Sequence, residues 1–154
     1  MTAKEAVFEL LKRERERGET SKLDVDTTHR EWLLALADLM SMFRKWLSSA
    51  EQETLLRIKE YTISIHEERL GTYDAPALDI VTPGGVVVSI RPKARIIVGG
   101  MGRIDFDAPS RSRILVRKDR TTWQFASLAA DRGHWSFLDL DENSFWQTLN
   151  ELIM

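Results

Sequence analysis

The spacing of apolar residues changes part way along the chain, from a helical period to an alternating one. Residues 27–50 place apolar side chains about 3.6 residues apart, from Trp32 through Phe43 to Leu47. In the run 61–66, apolar and polar residues alternate instead. Helices and strands segregated along a chain are typical of α+β folds. The sequence therefore predicts an α+β domain with N-terminal helices, an antiparallel β-meander of about seven or eight strands and a short C-terminal helix.

The chain divides into four predicted segments within a single domain, the usual outcome for 154 residues. We expect an N-terminal helix over 1–20, a second helix over 27–50, the sheet over 56–139 and a C-terminal helix over 141–154. Residues 18–27 are polar and predict a linker, and Thr28 with Glu31 matches a capping box. The first helix is expected to pack on its own chain, with docking or swapping onto a second subunit as the alternative.

Glycine-rich turns predict two hairpins inside the sheet. The predicted pairs are 78–81 with 86–90, around Pro83-Gly84-Gly85, and 95–98 with 103–107, around Gly99–Gly102. Further strands are predicted at 112–117, 121–126 and 134–138. The segment 56–66 is predicted as a strand, with a continued helix as the alternative, and Asp141 is the predicted cap of the final helix.

Charge is unevenly distributed along the chain. The formal net charge is −2, whereas residues 91–120 carry nine Lys or Arg against three Asp and so sum to +6, which leaves −8 elsewhere. Such a surface can hold an anion, an acidic partner or the acidic helices of the same chain. The binding residues predicted from this block form an electrostatic patch of Arg103, Arg111, Arg113 and Arg117, and an acidic protein is the expected partner.

Two motifs in the same region suggest chemistry. Gly99–Gly102 resembles a phosphate loop, but the alternating residues that follow indicate a strand, so we expect the glycines to form a turn. Asp105 and Asp107 share one face of a strand and, with His134, could form a metal-dependent hydrolase. The preferred interpretation pairs these aspartates with Arg95 or Arg113 across strands. We therefore predict no catalytic residue and no metal ligand.

Composition points to a soluble cytoplasmic protein without a cofactor. The chain contains no cysteine, which excludes a disulfide framework and thiolate chemistry. Charged residues interrupt the N-terminal stretch, unlike a secretory signal, and no apolar run reaches the length of a membrane span. We expect no membrane association.

Basic and aromatic residues alternate on several predicted strands, a combination found in single-stranded nucleic-acid binders. Arg91 and Lys93 share a face, as do Trp123 with Phe125 and Trp135 with Phe137. A sequence pI near 6.0 disfavours binding of nucleic acid, because nucleic-acid-binding domains are usually strongly basic. Nucleic acid is therefore the less favoured partner.

The runs 70–80 and 97–105, which read LGTYDAPALDI and IVGGMGRID, resemble a pattern in a family of uncharacterised bacterial proteins. The resemblance covers about half of the chain and rests on turn and strand residues. It implies a bacterial origin and a single compact module, and it carries over no functional residue.

Taken together, these features predict a non-enzymatic bacterial interaction protein of the adaptor or immunity type. Apolar edges on the terminal helices also favour a homodimer. Two alternatives stay open, a nucleic-acid-binding regulator that uses the basic sheet face and a cryptic metal-dependent hydrolase.

Overall fold

A computed structural model describes residues 2–128 and 133–154, with the backbone alone for residues 19–23. This described part of the chain forms two helices and seven strands: α1 (Ala3–Gln52), β1 (Arg57–Glu67), β2 (Gly71–Val81), β3 (Val87–Ala94), β4 (Arg103–Asp107), β5 (Ser112–Arg117), β6 (Trp123–Leu128), β7 (Trp135–Asp139) and α2 (Glu142–Ile153). Neither described helix contains an apolar stretch long enough to cross a bilayer.

The strands form one antiparallel sheet in chain order, from β1 at one edge to β7 at the other, counting the strands of the described residues. This meander confirms the predicted α+β class. The strand predicted over 56–66 is β1, which runs from Arg57 to Glu67, and the hairpin around Gly85 joins β2 to β3 as expected. Asp141 is the N-cap of α2, because its carboxylate accepts a hydrogen bond of 2.7 Å from the backbone of Ser144.

Helix α1 differs from the expected pair of helices, because it continues through residues 18–27, where the sequence indicated a linker. Thr28 therefore lies inside the helix, and Thr2 is the N-cap, in a capping box with Glu5. Gly18 costs only about 1 kcal/mol relative to alanine in a helix interior, which is too little to end an otherwise favourable helix.

The second hairpin also differs from the prediction. Residues 95–98 form no strand, and β3 itself pairs with β4, with an irregularity between Pro92 and Ala94. The loop that follows holds an isolated bridge from Ile97 to Gly100. Gly99 has a φ of 81°, so the glycines serve a turn, as expected.

Both described helices pack on one face of the sheet, which we call the core face. Phe106 on β4 lies at its centre, with its ring centroid 5.7 Å from that of Phe43 on α1 and 6.3 Å from that of Phe145 on α2. The helical apolar stripe predicted from the sequence faces this surface, and its side chains Trp32, Leu36, Leu39 and Phe43 are buried. The opposite surface of β3 to β7 is called the outer face.

Trp32 fixes the position of α1 on the sheet. Its indole lies where a Cβ atom on Gly102 would be, and Gly102 has a φ of 152°. The indole nitrogen donates a hydrogen bond of 3.1 Å to the hydroxyl of Tyr73 on β2. The position therefore needs glycine both for its backbone conformation and for the close approach of the ring.

We expect Gly102→Ala to lower the free energy of unfolding by about 3 kcal/mol, because the methyl group displaces a buried ring and the backbone is strained. Gly84→Ala is the control, since a Cβ atom there meets only a side-chain atom 4.0 Å away. Urea unfolding of both variants measures the difference. Equal stability of the two would contradict the close packing of Trp32.

A buried ion pair provides a second link between α1 and the sheet. Arg117 on β5 is 2% exposed, and two of its nitrogens donate to the carboxylate of Glu31 at 2.6 and 2.7 Å. A third bond, of 3.0 Å, runs from Arg117 to the carbonyl of Arg120. The hydrogen bond from Arg117 lowers the pKa of Glu31 below its ordinary value of 4.5.

We expect Glu31→Gln to cost about 2–4 kcal/mol, because it leaves the buried guanidinium of Arg117 without its counter-charge. Glu60→Gln is the matched control, since Glu60 is 57% exposed in its ion pair with Arg44, and such pairs contribute less than about 1 kcal/mol.

The cost of Glu31→Gln should also depend on pH. A carboxylate with a lowered folded-state pKa stabilises the fold fully above its ordinary value of 4.5, and this contribution is lost as the pH falls through the folded-state pKa. Denaturant unfolding at pH 7 and at lower pH should show the two proteins converging in acid. A constant difference across that range would exclude the ion pair as its cause.

Candidate functional site

The structure separates the four arginines predicted as a binding patch. Arg113 and Arg117 point to the core face, Arg103 to the outer face, and Arg111 lies in the turn between β4 and β5. Three of them bind carboxylates, as follows: Arg103 with Asp105 at 2.7 Å, Arg113 with Glu151 at 2.9 Å and Arg117 with Glu31 at 2.6 Å. Arg111 donates to the backbone carbonyl of Glu151 at 3.1 Å.

These contacts show how part of the basic block is neutralised. Glu31 lies on α1 and Glu151 on α2, so Arg117 and Arg113 join the acidic residues of the helices to the sheet. This was one of the three outcomes that the charge distribution allowed. These two arginines therefore hold the helices on the sheet.

The two aspartates of the possible hydrolase lie on the outer face. Asp105 is opposite Arg91 and Ile114 in register, so the expected pairing with Arg113 is not formed. A groove of about 420 Å³ brings Asp105 and Asp107 near His66. His134 lies before β7 and is exposed. Within the described residues, no group of three His, Asp or Glu side chains is arranged to hold a metal ion.

The aromatic pairs noted in the sequence fall on different faces. Trp123 contacts Trp32 beneath α1, with ring centroids 6.1 Å apart, and Phe125 is buried against Phe106. The register of β6 and β7 places Phe137 opposite Ala126, on the outer face. The stripe of basic and stacking residues expected for nucleic acid is therefore not formed by Trp123 and Phe125.

The outer face carries an apolar area over β5, β6 and β7. The pairings of 114 with 126, 126 with 137, and 128 with 135 place its side chains side by side. We call this area the outer apolar patch, and its members are Ile114, Val116, Ala126, Leu128, Trp135 and Phe137. Trp135 and Phe137 are 53% and 57% exposed, so large aromatic surfaces face solvent in the isolated chain.

A cavity of about 410 Å³ opens over this patch. The loop between β3 and β4 forms the wall of this cavity, since Ile97, Val98 and Gly99 line it together with residues of the patch. Val98 is fully exposed at the tip of this loop. A concave apolar surface with aromatic side chains can receive an apolar side chain of another molecule.

Polar residues surround the patch. Asp105, Asp107 and Arg103 lie on the neighbouring strand β4, and Gln124 donates a hydrogen bond of 2.7 Å to Asp139 at the end of β7. An apolar centre with aromatic residues and a polar rim is the usual anatomy of a protein–protein interface. Contiguous exposed apolar surface on a folded chain commonly marks such a site.

Sequence reasoning missed this patch although it paired Trp135 with Phe137. Their alternation showed a shared face, but Trp123 and Phe125 show the same alternation. Only the register, which sets Phe137 beside Ala126 rather than Phe125, decides which pair is buried.

No protein family, curated protein or solved structure matches the chain in the three comparisons made with known proteins.

We expect Phe137→Ala to change the free energy of unfolding by less than about 0.5 kcal/mol, because its ring already faces solvent. Phe125→Ala is the matched comparison on the adjacent strand, and it should cost about 3–5 kcal/mol because Phe125 is buried among aromatic rings. Urea unfolding of both variants gives the two values. A large loss with Phe137→Ala that does not change with protein concentration would mean that this face belongs to the core.

Proposed function

We propose that the protein is a non-enzymatic interaction protein, of the adaptor or immunity type, that binds a protein partner through the outer apolar patch. The exposed pair Trp135 and Phe137 on this patch is the observation that carries the proposal. Aromatic side chains supply much of the binding energy at protein interfaces, and they do so when the partner removes them from water.

The surroundings of the patch support a protein ligand in particular. The cavity beside Val98 provides a recess for a side chain, and β7 is an edge strand of the described sheet, where another chain can extend the pairing. Both features suit a folded protein or a protein segment.

The rim affects which partner fits. Asp107 and Asp139 lie beside the patch, and Arg103 is already paired with Asp105. The rim therefore favours a partner that carries basic groups next to an apolar surface, whereas the sequence favoured an acidic one. Arg103 stays within the proposed binding surface, while Arg113 and Arg117 act in folding.

The test is affinity capture from the source cell with three forms of the chain. Phe137→Asp places a charge in the middle of the patch and should reduce recovery of a captured protein at least about tenfold. Leu34→Asp is the control, because Leu34 is 67% exposed on α1, away from the patch. Equal recovery with all three forms would place binding on another surface and overturn the proposal.

A further inference from the structure

The first part of α1 carries an apolar stripe that faces solvent. Residues 3–18, which we call the arm, lie ahead of the part of the helix that packs on the sheet. The side chains that form the stripe are 50–55% exposed, and they are Val7, Phe8, Leu10 and Leu11. Exposed apolar residues grouped on one side of a helix are the usual sign of a docking surface.

The arm cannot reach the outer apolar patch of its own chain. With about 100° of rotation per residue, Val7 and Leu11 lie on the same side of the helix as Trp32 and Phe43, which face the core side of the sheet. The helix continues without interruption from Ala3 to Gln52. For the arm to meet the outer face of its own chain, α1 would have to break and fold back around the sheet.

Charge on the arm complements the rim of the patch. The same helical geometry places Lys12 beyond one edge of the stripe and Arg13 and Arg17 beyond the other. Lys4 and Arg15 lie on the side of the stripe itself, together with Glu14, so cations outnumber the single carboxylate there. The stripe is therefore flanked by cations on both sides. The acidic side chains Glu5, Glu9 and Glu16 lie on the opposite side of the helix.

The rim of the outer apolar patch offers the opposite charge. Asp107 lies on the β4 side of the patch and Asp139 at the end of β7, whereas the carboxylate of Asp105 is already paired with Arg103 at 2.7 Å. A helix laid along the patch would bring its basic flanks toward these two sides. Complementary charges of this kind fix the orientation of two partners more than they add affinity.

The sizes of the two surfaces also agree. The arm as a whole is about 24 Å long and about 10 Å wide, and its apolar stripe, residues 7–11, takes up about 6 Å of that length. The patch spans three strands, about 10 Å across, and strands of five or six residues are about 17–20 Å long. Seven side chains of the two surfaces are about half exposed, the four of the stripe with Leu128, Trp135 and Phe137. Burial of these seven, on the order of 100 Å² each, gives roughly 1,400 Å² over two contacts, close to a standard interface.

We propose that two copies of this chain form a reciprocal dimer in which the arm of each copy packs on the outer apolar patch of the other. Each copy donates one arm and one patch, so a twofold axis closes the assembly. This inference rests on the proposed function, because it uses the same patch and gives it a defined occupant with an apolar stripe and basic flanks.

The first test measures the oligomeric state of the full chain by sedimentation equilibrium. The wild type should have twice the 17.8 kDa mass of one chain. Leu11→Asp on the arm and Phe137→Asp on the patch should each raise the dimer Kd at least about tenfold, and Leu34→Asp should leave it unchanged. A monomeric wild type, or a dimer unaffected by either change, would overturn the inference.

The second test identifies which surfaces meet. The chain has no cysteine, so Leu11→Cys and Phe137→Cys can be made in separate proteins, mixed and oxidised. A disulfide between the two different variants supports the arm-to-patch contact, and a mixture of Leu34→Cys with Phe137→Cys should give none. Faster crosslinking of the Leu11→Cys variant with itself would show that arms pair with arms, which overturns the proposal.

The two proposals can fail separately. A wild type that is monomeric but captures a protein from the source cell through Phe137 would overturn the dimer and support the proposed function. A dimer that is lost with Leu11→Asp and Phe137→Asp, in a protein that captures no other chain, would support the dimer alone and overturn the adaptor function.

Discussion

The contact between Trp32 and Gly102 determines how the long helix lies on the sheet. The indole occupies the space that a side chain at Gly102 would need, and its nitrogen is bonded to Tyr73. Tyr73 donates in turn to Glu67, which also accepts the backbone N–H groups of Arg95 and Ile96. One aromatic side chain thus connects α1, the β1–β2 hairpin and the loop after β3. Together with the ion pair of Arg117 and Glu31, this contact holds α1 on the sheet.

The coverage of the sheet explains why its two faces differ in composition. On the core face, Phe106, Phe125 and Leu115 are buried beneath the described helices. On the outer face, the β3–β4 half carries charged residues, whereas the β5–β7 half carries the outer apolar patch. A solvated face of an antiparallel sheet is normally polar throughout. The patch departs from that rule, and this departure is what makes it a candidate for binding rather than a chance exposure of single residues.

Periodicity predicted most of the elements, because it reflects which side of an element is buried. The apolar stripe around Phe43 predicted the part of α1 that packs on the sheet, and the alternation in 61–66 predicted β1. Asp141 predicted the start of α2. The partners of the arginines were beyond such reasoning, since Glu31 and Arg117 are 86 positions apart and meet only when α1 lies on the sheet. The expected linker at 18–27 was also wrong in the structure, because polar residues with ordinary helix propensity continue a helix as well as they form a loop.

The same continuity of α1 links the dipolar charge pattern to the proposed mode of binding. Arg113 and Arg117 form ion pairs with the helices, so these two residues of the basic block do not face a partner. The basic residues of the arm lie outside that block, beside an apolar stripe that the helix carries beyond the sheet. In the proposed dimer, charge directs the arm, whereas apolar contact with Trp135 and Phe137 supplies affinity. Under this proposal, binding rests on shape and apolar burial, and the charged residues divide into those that hold the fold together and those that would orient the partner.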